Sequence, residues 1–247
     1  MRNIKLTLSY DGSDFNGWQT QPGYRTVQET LEGAIARLTG EPRIRVNASG
    51  RTDAGVHAVG QVANFYTGTT IPGHALVKAI NAHLPADVVV LQADDTPEAF
   101  DANRDARRKL YRYVIHDRPV PDPFLRRYCC HSRKRLDVAA MKRAAAPLRG
   151  RHDFHSFETD WPNRMSSVRT VTHLSLSRFG DWIWLDVEAD GFLYNMVRAI
   201  AGTLMYVGRG YWPESRVAEI LSAEDRREGG PTAPAQGLFL MRVIYDR

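Results

Sequence analysis

Apolar and polar residues alternate from Ile4 to Tyr10, with Ile4, Leu6, Leu8 and Tyr10 on one side, the period of a strand buried on one face. From Thr26 to Leu38 the period lengthens to that of a helix. Val27, Leu31, Ala34, Ile35 and Leu38 fall on one face, and Gly40 closes the segment. Arg43 to Ser49 and Gln61 to Tyr66 read as strands, His74 to Leu84 as a helix stopped by Pro85, and Val88 to Ala93 as a buried strand. The order is βαββαβ.

The same order returns in the second half without a repeat of sequence. Leu110 to Asp117 alternates as a strand; Val138, Met141, Ala145 and Leu148 mark a helix; Ser167 to Ser177 and Trp182 to Ala189 read as strands. A helix from Phe192 to Val207, a short one from Pro213 to Leu221 and a strand from Leu238 to Tyr245 complete it. The predicted fold class is α+β: two ferredoxin-like (RRM-like) βαββαβ halves in a largely antiparallel mixed sheet with helices packed on it. The boundary is expected near Phe100 to Ala106, giving domains at residues 1–103 and 104–247. Pro119 to Lys134 and Glu158 to Met165 read as loops, long enough to carry binding rather than packing.

With 247 residues at 43% hydrophobic, the chain has enough apolar surface for one large core or two small ones. Mean hydropathy is negative, and no apolar run approaches the roughly 18 residues needed to cross a bilayer. Met1-Arg2-Asn3-Ile4-Lys5 leads straight into a strand with no signal-peptide core. A soluble, cytoplasmic protein without a membrane partner is expected. The only cysteines, Cys129 and Cys130, are adjacent, which suits neither a disulfide framework nor metal-ligand spacing, so they read as reduced and non-catalytic.

Charge changes the picture through its placement. Arg104 to Arg151 carries 15 Lys plus Arg against four acids, a net +11, in a chain whose total is only +5. Only five of the 33 basic residues are Lys, and arginine's planar fork suits phosphate and stacks on bases. Interleaved with Tyr111, Tyr113, Phe124 and Tyr128, this block reads as a nucleic-acid surface.

The segment Ala48-Ser49-Gly50-Arg51-Thr52-Asp53-Ala54-Gly55-Val56-His57 sets one carboxylate beside one guanidinium on a turn between two strands. Its glycines allow positive φ and close approach of a ligand to the backbone. An Asx turn closing a hairpin would look the same in sequence. No phosphate-binding glycine loop, C-x-x-C or zinc-deaminase pattern is present. His152 and His155 are spaced like a metal pair without an evident third ligand, and read as structural or RNA-facing. The chemistry is therefore expected from side chains alone, with no cofactor and no metal.

Other motifs stand in order around that segment: Tyr10-Asp11-Gly12, Phe15, Gly17-Trp18-Gln19 and Thr26-Val27-Gln28 upstream; Lys109-Leu110-Tyr111-Arg112-Tyr113, Gly191 to Arg198 and Thr232 to Leu238 downstream. The ordered set closely resembles the tRNA pseudouridine synthase A family. The resemblance implies isomerisation of uridine in the anticodon arm of tRNA, a homodimer, and an active-site cleft between the halves. It implies Asp53 as the catalytic residue, Tyr111 as the tyrosine that stacks on the target base, Arg198 as the arginine paired with the carboxylate, and Arg51 as the residue linked to displacing the base. A carboxylate at the anomeric carbon suits this reaction, since it can stabilise an oxocarbenium-like centre or attack it. Where the family often shows Arg after Phe-x-Ala, this chain has Phe100-Asp101-Ala102-Asn103 with Arg104 only at the next position, a departure that leaves the contact there open; Asn103, which can still hydrogen-bond a phosphate or base, and Arg104 are RNA-binding candidates. Arg107, Arg108, Trp161 and Arg164 are further RNA-binding candidates. Two other classes fit parts of the pattern: a catalytically silent protein of two RRM-like folds, although no RNP1 pattern is visible, and an RNA glycosylase that stops after bond cleavage.

Overall fold

The computed structural model describes residues 1–159 and 166–245. Contacts divide the chain into two units, Met1–Arg107 with Phe239–Arg247, and Arg108–Leu238.

Unit 1 contains β1 (Arg2–Tyr10), α1 (Val27–Thr39), β2 (Val46–Ala48), β3 (His57–Thr67), α2 (Gly73–Asn81) and β4 (Val88–Thr96). The strands lie antiparallel in the order β4, β1, β3, β2, the ferredoxin-like arrangement. Ile4, Leu6 and Leu8 of β1 register against Phe65, Ala63 and Gln61 of β3. With Leu31, Ala34 and Ile35 of α1 and Leu76 and Ile80 of α2 they make the core, all fully buried. β3 starts four residues before the expected Gln61, and its first residues pair in parallel with β10 (Leu238–Tyr245) at His57–Phe239 and Ala58–Leu240. The sequence groups that last strand with the second half. Its contacts group it with unit 1 from Phe239 onward, because it lies along β3 and its Tyr245 hydroxyl donates to the Ala102 carbonyl at 2.7 Å. Asn3 and Asn64 bind the backbone of Phe100 and Ala102 at 2.9 Å each, which fastens the stretch leading to Asn103 against the sheet.

Unit 2 contains β5 (Ala106–His116) from Arg108 onward, β6 (Cys130–His131), α3 (Val138–Ala145), β7 (Gly150–Asp153), β8 (Val168–Phe179), β9 (Trp182–Ala189), α4 (Met196–Gly208) and α5 (Arg216–Ala223). β5, β9, β8 and β7 are antiparallel neighbours in that order, and β6 adds a short parallel pairing to β5. β6 and β7 have two and four residues, too few for alternation to show in sequence. α4 begins at Met196 rather than Phe192, because Asn195 takes a left-handed conformation (φ 63°) that ends helical geometry on its N-terminal side. Along α4, Met196, Ala199, Ile200, Ala201 and Leu204 are buried, as a helix apolar over most of its surface requires. Among the described residues, no helix is long and apolar enough to cross a membrane.

Candidate active site

In unit 1 the segment after β2 leaves the sheet at Ser49, whose N–H still reaches the Val62 carbonyl at 2.8 Å, and re-enters it at His57. Asp53 lies at the apex, half-buried, and its carbonyl accepts from the Val56 N–H at 3.1 Å to close a turn in which Gly55 has φ 77°. Only glycine takes that position without strain. A second loop braces the turn from the side: Trp18 N–H donates to the Thr52 carbonyl at 3.0 Å and Gly55 N–H to the Phe15 carbonyl at 3.3 Å. Gly17 must stay without a side chain, since a Cβ there would stand 2.7 Å from the Thr52 carbonyl oxygen. Phe15 and Trp18 anchor this second loop in the core.

Beneath the turn lies a buried polar network built from residues outside the sequence-predicted site. The Thr52 and Tyr10 hydroxyls are 2.8 Å apart. Gln61 Nε2 sits 3.5 Å from the Tyr10 hydroxyl and donates to the Gly50 carbonyl at 3.0 Å, while Gln61 Oε1 accepts from Ser49 Oγ at 2.7 Å and the Val62 N–H at 3.1 Å. Burial raises the Tyr10 phenol to about 12, so the hydroxyl stays neutral across the working range. The signal was present: Gln61 stands in the inward row with Ala63 and Phe65, where alternation calls for an apolar side chain. Arg51 is exposed beside this turn.

Unit 2 holds Tyr111 and Arg198. Tyr111 is buried on β5, opposite Val187 of β9, with its ring edge-on to Phe192 at 4.9 Å. Arg198, on the first turn of α4, is half-buried; its Nε donates to the Ala233 carbonyl at 2.8 Å and its Nη1 to Asn195 Oδ1 at 2.6 Å. Ala233 N–H returns a bond to the Arg198 carbonyl at 3.1 Å, and Asn195 Nδ2 donates to Thr159 Oγ1 at 2.9 Å. The left-handed Asn195 thus serves the guanidinium directly, a role that neither charge nor periodicity announces. Lys109 shares the strand face of Tyr111, two residues before it, and burial lowers its ammonium from 10.5 to about 8.

The RNA-binding candidates are spread more widely. Asn103 and Arg104 are exposed, and Arg104 is engaged by Asp105 at 2.9 Å. Arg107 is exposed, and Arg108 pairs with Glu188 at 2.9 Å. Trp161 and Arg164 lie outside the described residues. Exposed Phe124 and Tyr128 occupy the Pro119 to Lys134 loop, whose base is held by His131 Nε2 and the Arg118 carbonyl at 2.7 Å. His152 and His155 meet the Arg149 carbonyl at 2.8 Å and Glu158 at 3.0 Å. An open depression of about 620 Å³ in unit 2, lined by Arg135, Asp137, Trp212 and Glu214 among others, includes none of the sequence-predicted site residues.

In this α+β chain a buried polar network holds one carboxylate-bearing turn, an arrangement suited to catalysis. A model of the tRNA pseudouridine synthase family matches residues 7–103 and 144–246. The tRNA pseudouridine synthase A of Thermoanaerobacter sp. (strain X514) is 47% identical over 245 residues, 99% of this chain and 100% of that protein. Those of Moorella thermoacetica and Ruminiclostridium cellulolyticum are 49% and 44% identical over 98% and 99% of this chain, and 99% and 100% of their own lengths. The chain belongs to the tRNA pseudouridine synthase family, and is accordingly an isomerase.

Proposed function

We propose that this enzyme converts uridine to pseudouridine in the anticodon stem-loop of tRNA, with Asp53 as the group that acts at C1′. The observation that carries this reading is the Asp53 turn, fixed by backbone bonds on both sides of the carboxylate and supported from below by Thr52, Tyr10 and Gln61. The reaction breaks the N1–C1′ bond, turns the base, joins C5 to C1′ and releases the C5 hydrogen as a proton while N1 gains one. A stacked uridine hides its C1′, so the nucleotide is flipped out before cleavage. In this proposal Arg51 helps displace the base, Tyr111 stacks on it, and Arg198 keeps the carboxylate ionised against desolvation. Protein side chains supply all of this chemistry. The exposed Phe124 and Tyr128 among the arginines of the basic block suit contact with phosphates and unpaired bases. Cytoplasmic tRNA is the partner, bound by a homodimer that elutes at twice 27.9 kDa.

The test is tRNA tritiated at C5 of uracil, mixed with the enzyme alone. Tritium released to water, with the RNA not shortened and a parallel unlabelled RNA unchanged in mass, is the expected result. Free uracil with an abasic site would mark a glycosylase instead. Label retained in RNA by a folded protein that binds it would refute the reading.

A further inference from the structure

The residue before Asp53 is fixed twice. The Thr52 carbonyl is taken by the Trp18 N–H at 3.0 Å, and its side-chain hydroxyl meets the Tyr10 hydroxyl at 2.8 Å. Tyr10 is itself seated in the inward row of β1 after Ile4, Leu6 and Leu8, where a phenylalanine would fill the same space without a polar atom to satisfy. Gln61, fully buried, adds a second support by holding the Gly50 carbonyl and Ser49 at the start of the same turn. The chain therefore buries two hydroxyls and an amide where three apolar side chains would pack. Replacing both members of a buried hydrogen-bonded pair by apolar groups of the same shape is nearly neutral for stability, so the hydroxyls are not needed to hold the fold together. What they add is direction, because a hydrogen bond fixes the rotation of the Thr52 side chain and with it the backbone that carries the next residue. Displacing a reacting group by about 1 Å can cost on the order of 100-fold in rate.

We propose that the Tyr10–Thr52 hydroxyl pair, seated on Gln61, is the positioning device of the Asp53 carboxylate. Both residues are positioning residues, and neither touches the substrate. The proposal rests on Asp53 being the group that acts at C1′.

The experiment compares Tyr10→Phe, Thr52→Val, the double variant, Thr52→Ser and Asp53→Asn, each for kcat and KM on tRNA and for melting temperature. Tyr10→Phe and Thr52→Val are each expected to lower kcat by on the order of 10- to 100-fold, with KM unchanged. The double variant should stay as slow as the single ones, neither slower nor recovered, since all three lack the same bond. It should also melt close to the wild type. Thr52→Ser, which keeps the hydroxyl, should restore kcat. Wild-type kcat in Tyr10→Phe and Thr52→Val overturns the proposal, as does a double variant whose loss is the product of the two single losses. A kcat that recovers in the double variant together with its melting temperature would show a structural role only. If Asp53→Asn keeps its activity, it is the reading of Asp53 that has failed, and the proposal falls with it on a separate arm. Asp53→Asn inactive beside a fully active Tyr10→Phe refutes the positioning device alone.

Discussion

Two helical glycines separate packing from propensity in this fold. At Gly202 in α4, an added Cβ would stand 2.9 Å from the Pro231 carbonyl carbon, overlap its oxygen, and lie 3.4 Å from the Ala233 nitrogen. These are backbone atoms, so no rotamer change relieves the overlap. Gly202→Ala gains about 1 kcal/mol of helix propensity but incurs an overpacking cost at the upper end of the usual range, about 3 kcal/mol. The shift would also stretch the two bonds that tie Arg198 to Ala233, at 2.8 and 3.1 Å, each worth about 1 kcal/mol net. With about half of each stretched bond's contribution lost, the net loss is about 3 kcal/mol, or roughly 6–12 °C in melting temperature for a chain of this size. Activity should fall with it, since the Arg198 guanidinium is held by the same segment. Gly33 in α1 is the control: among the described residues its added Cβ would meet no neighbour beyond its own helix backbone except Arg37 Nη1, at 3.5 Å. Gly33→Ala should gain up to about 1 kcal/mol, roughly 2–4 °C, with activity unchanged. Thermal unfolding by circular dichroism and kcat/KM on tRNA read both. A Gly202→Ala protein that melts at or above the wild type would refute the packing argument.

Other outcomes follow from charge. Lys109 loses its proton near pH 8 in the folded chain and near 10.5 when unfolded, so between those values the unfolded chain holds more protons and stability rises with pH. The melting temperature of the wild type relative to Lys109→Met should therefore climb from pH 7.5 to 10, and a flat difference would contradict the burial of that ammonium. If the block from Arg104 to Arg151 neutralises about five phosphates, tRNA affinity should drop roughly 10²- to 10³-fold over a fourfold rise in salt. An affinity that barely moves would remove RNA from this surface.

The elements whose periods run for two turns or more were legible in the chain. β1, α1, β9 and the body of α4 appear where alternation or helical spacing put them, because each buries one continuous face. β6 and β7 were not, being too short to show a period. The N-terminus of α4 was misplaced since an apolar run from Phe192 to Val197 says nothing of the left-handed turn at Asn195. The pairing of β10 with β3 is a contact between distant parts of the chain, and hydrophobic pattern carries no information about partners. For the candidate site, Asp53 stood out through its glycines and its neighbours in order, whereas its supports did not. Tyr10 and Thr52 read as an ordinary strand tyrosine and a turn threonine. Gln61 interrupts the apolar row it shares with Ala63 and Phe65, and a polar side chain in an inward row is the mark this network leaves in the sequence.

In the proposed reaction the Asp53 carboxylate performs the chemistry while its turn is built by other residues. Single-turnover isomerisation by Asp53→Asn, with enzyme in excess over tRNA, tests it most directly, because the amide keeps the size and turn geometry and removes only the charge. The Asp53→Asn protein should melt like the wild type, bind tRNA with unchanged affinity and form no detectable pseudouridine. Isomerisation at more than about one hundredth of the wild-type rate, within the range for losing an acid-base group, would contradict it.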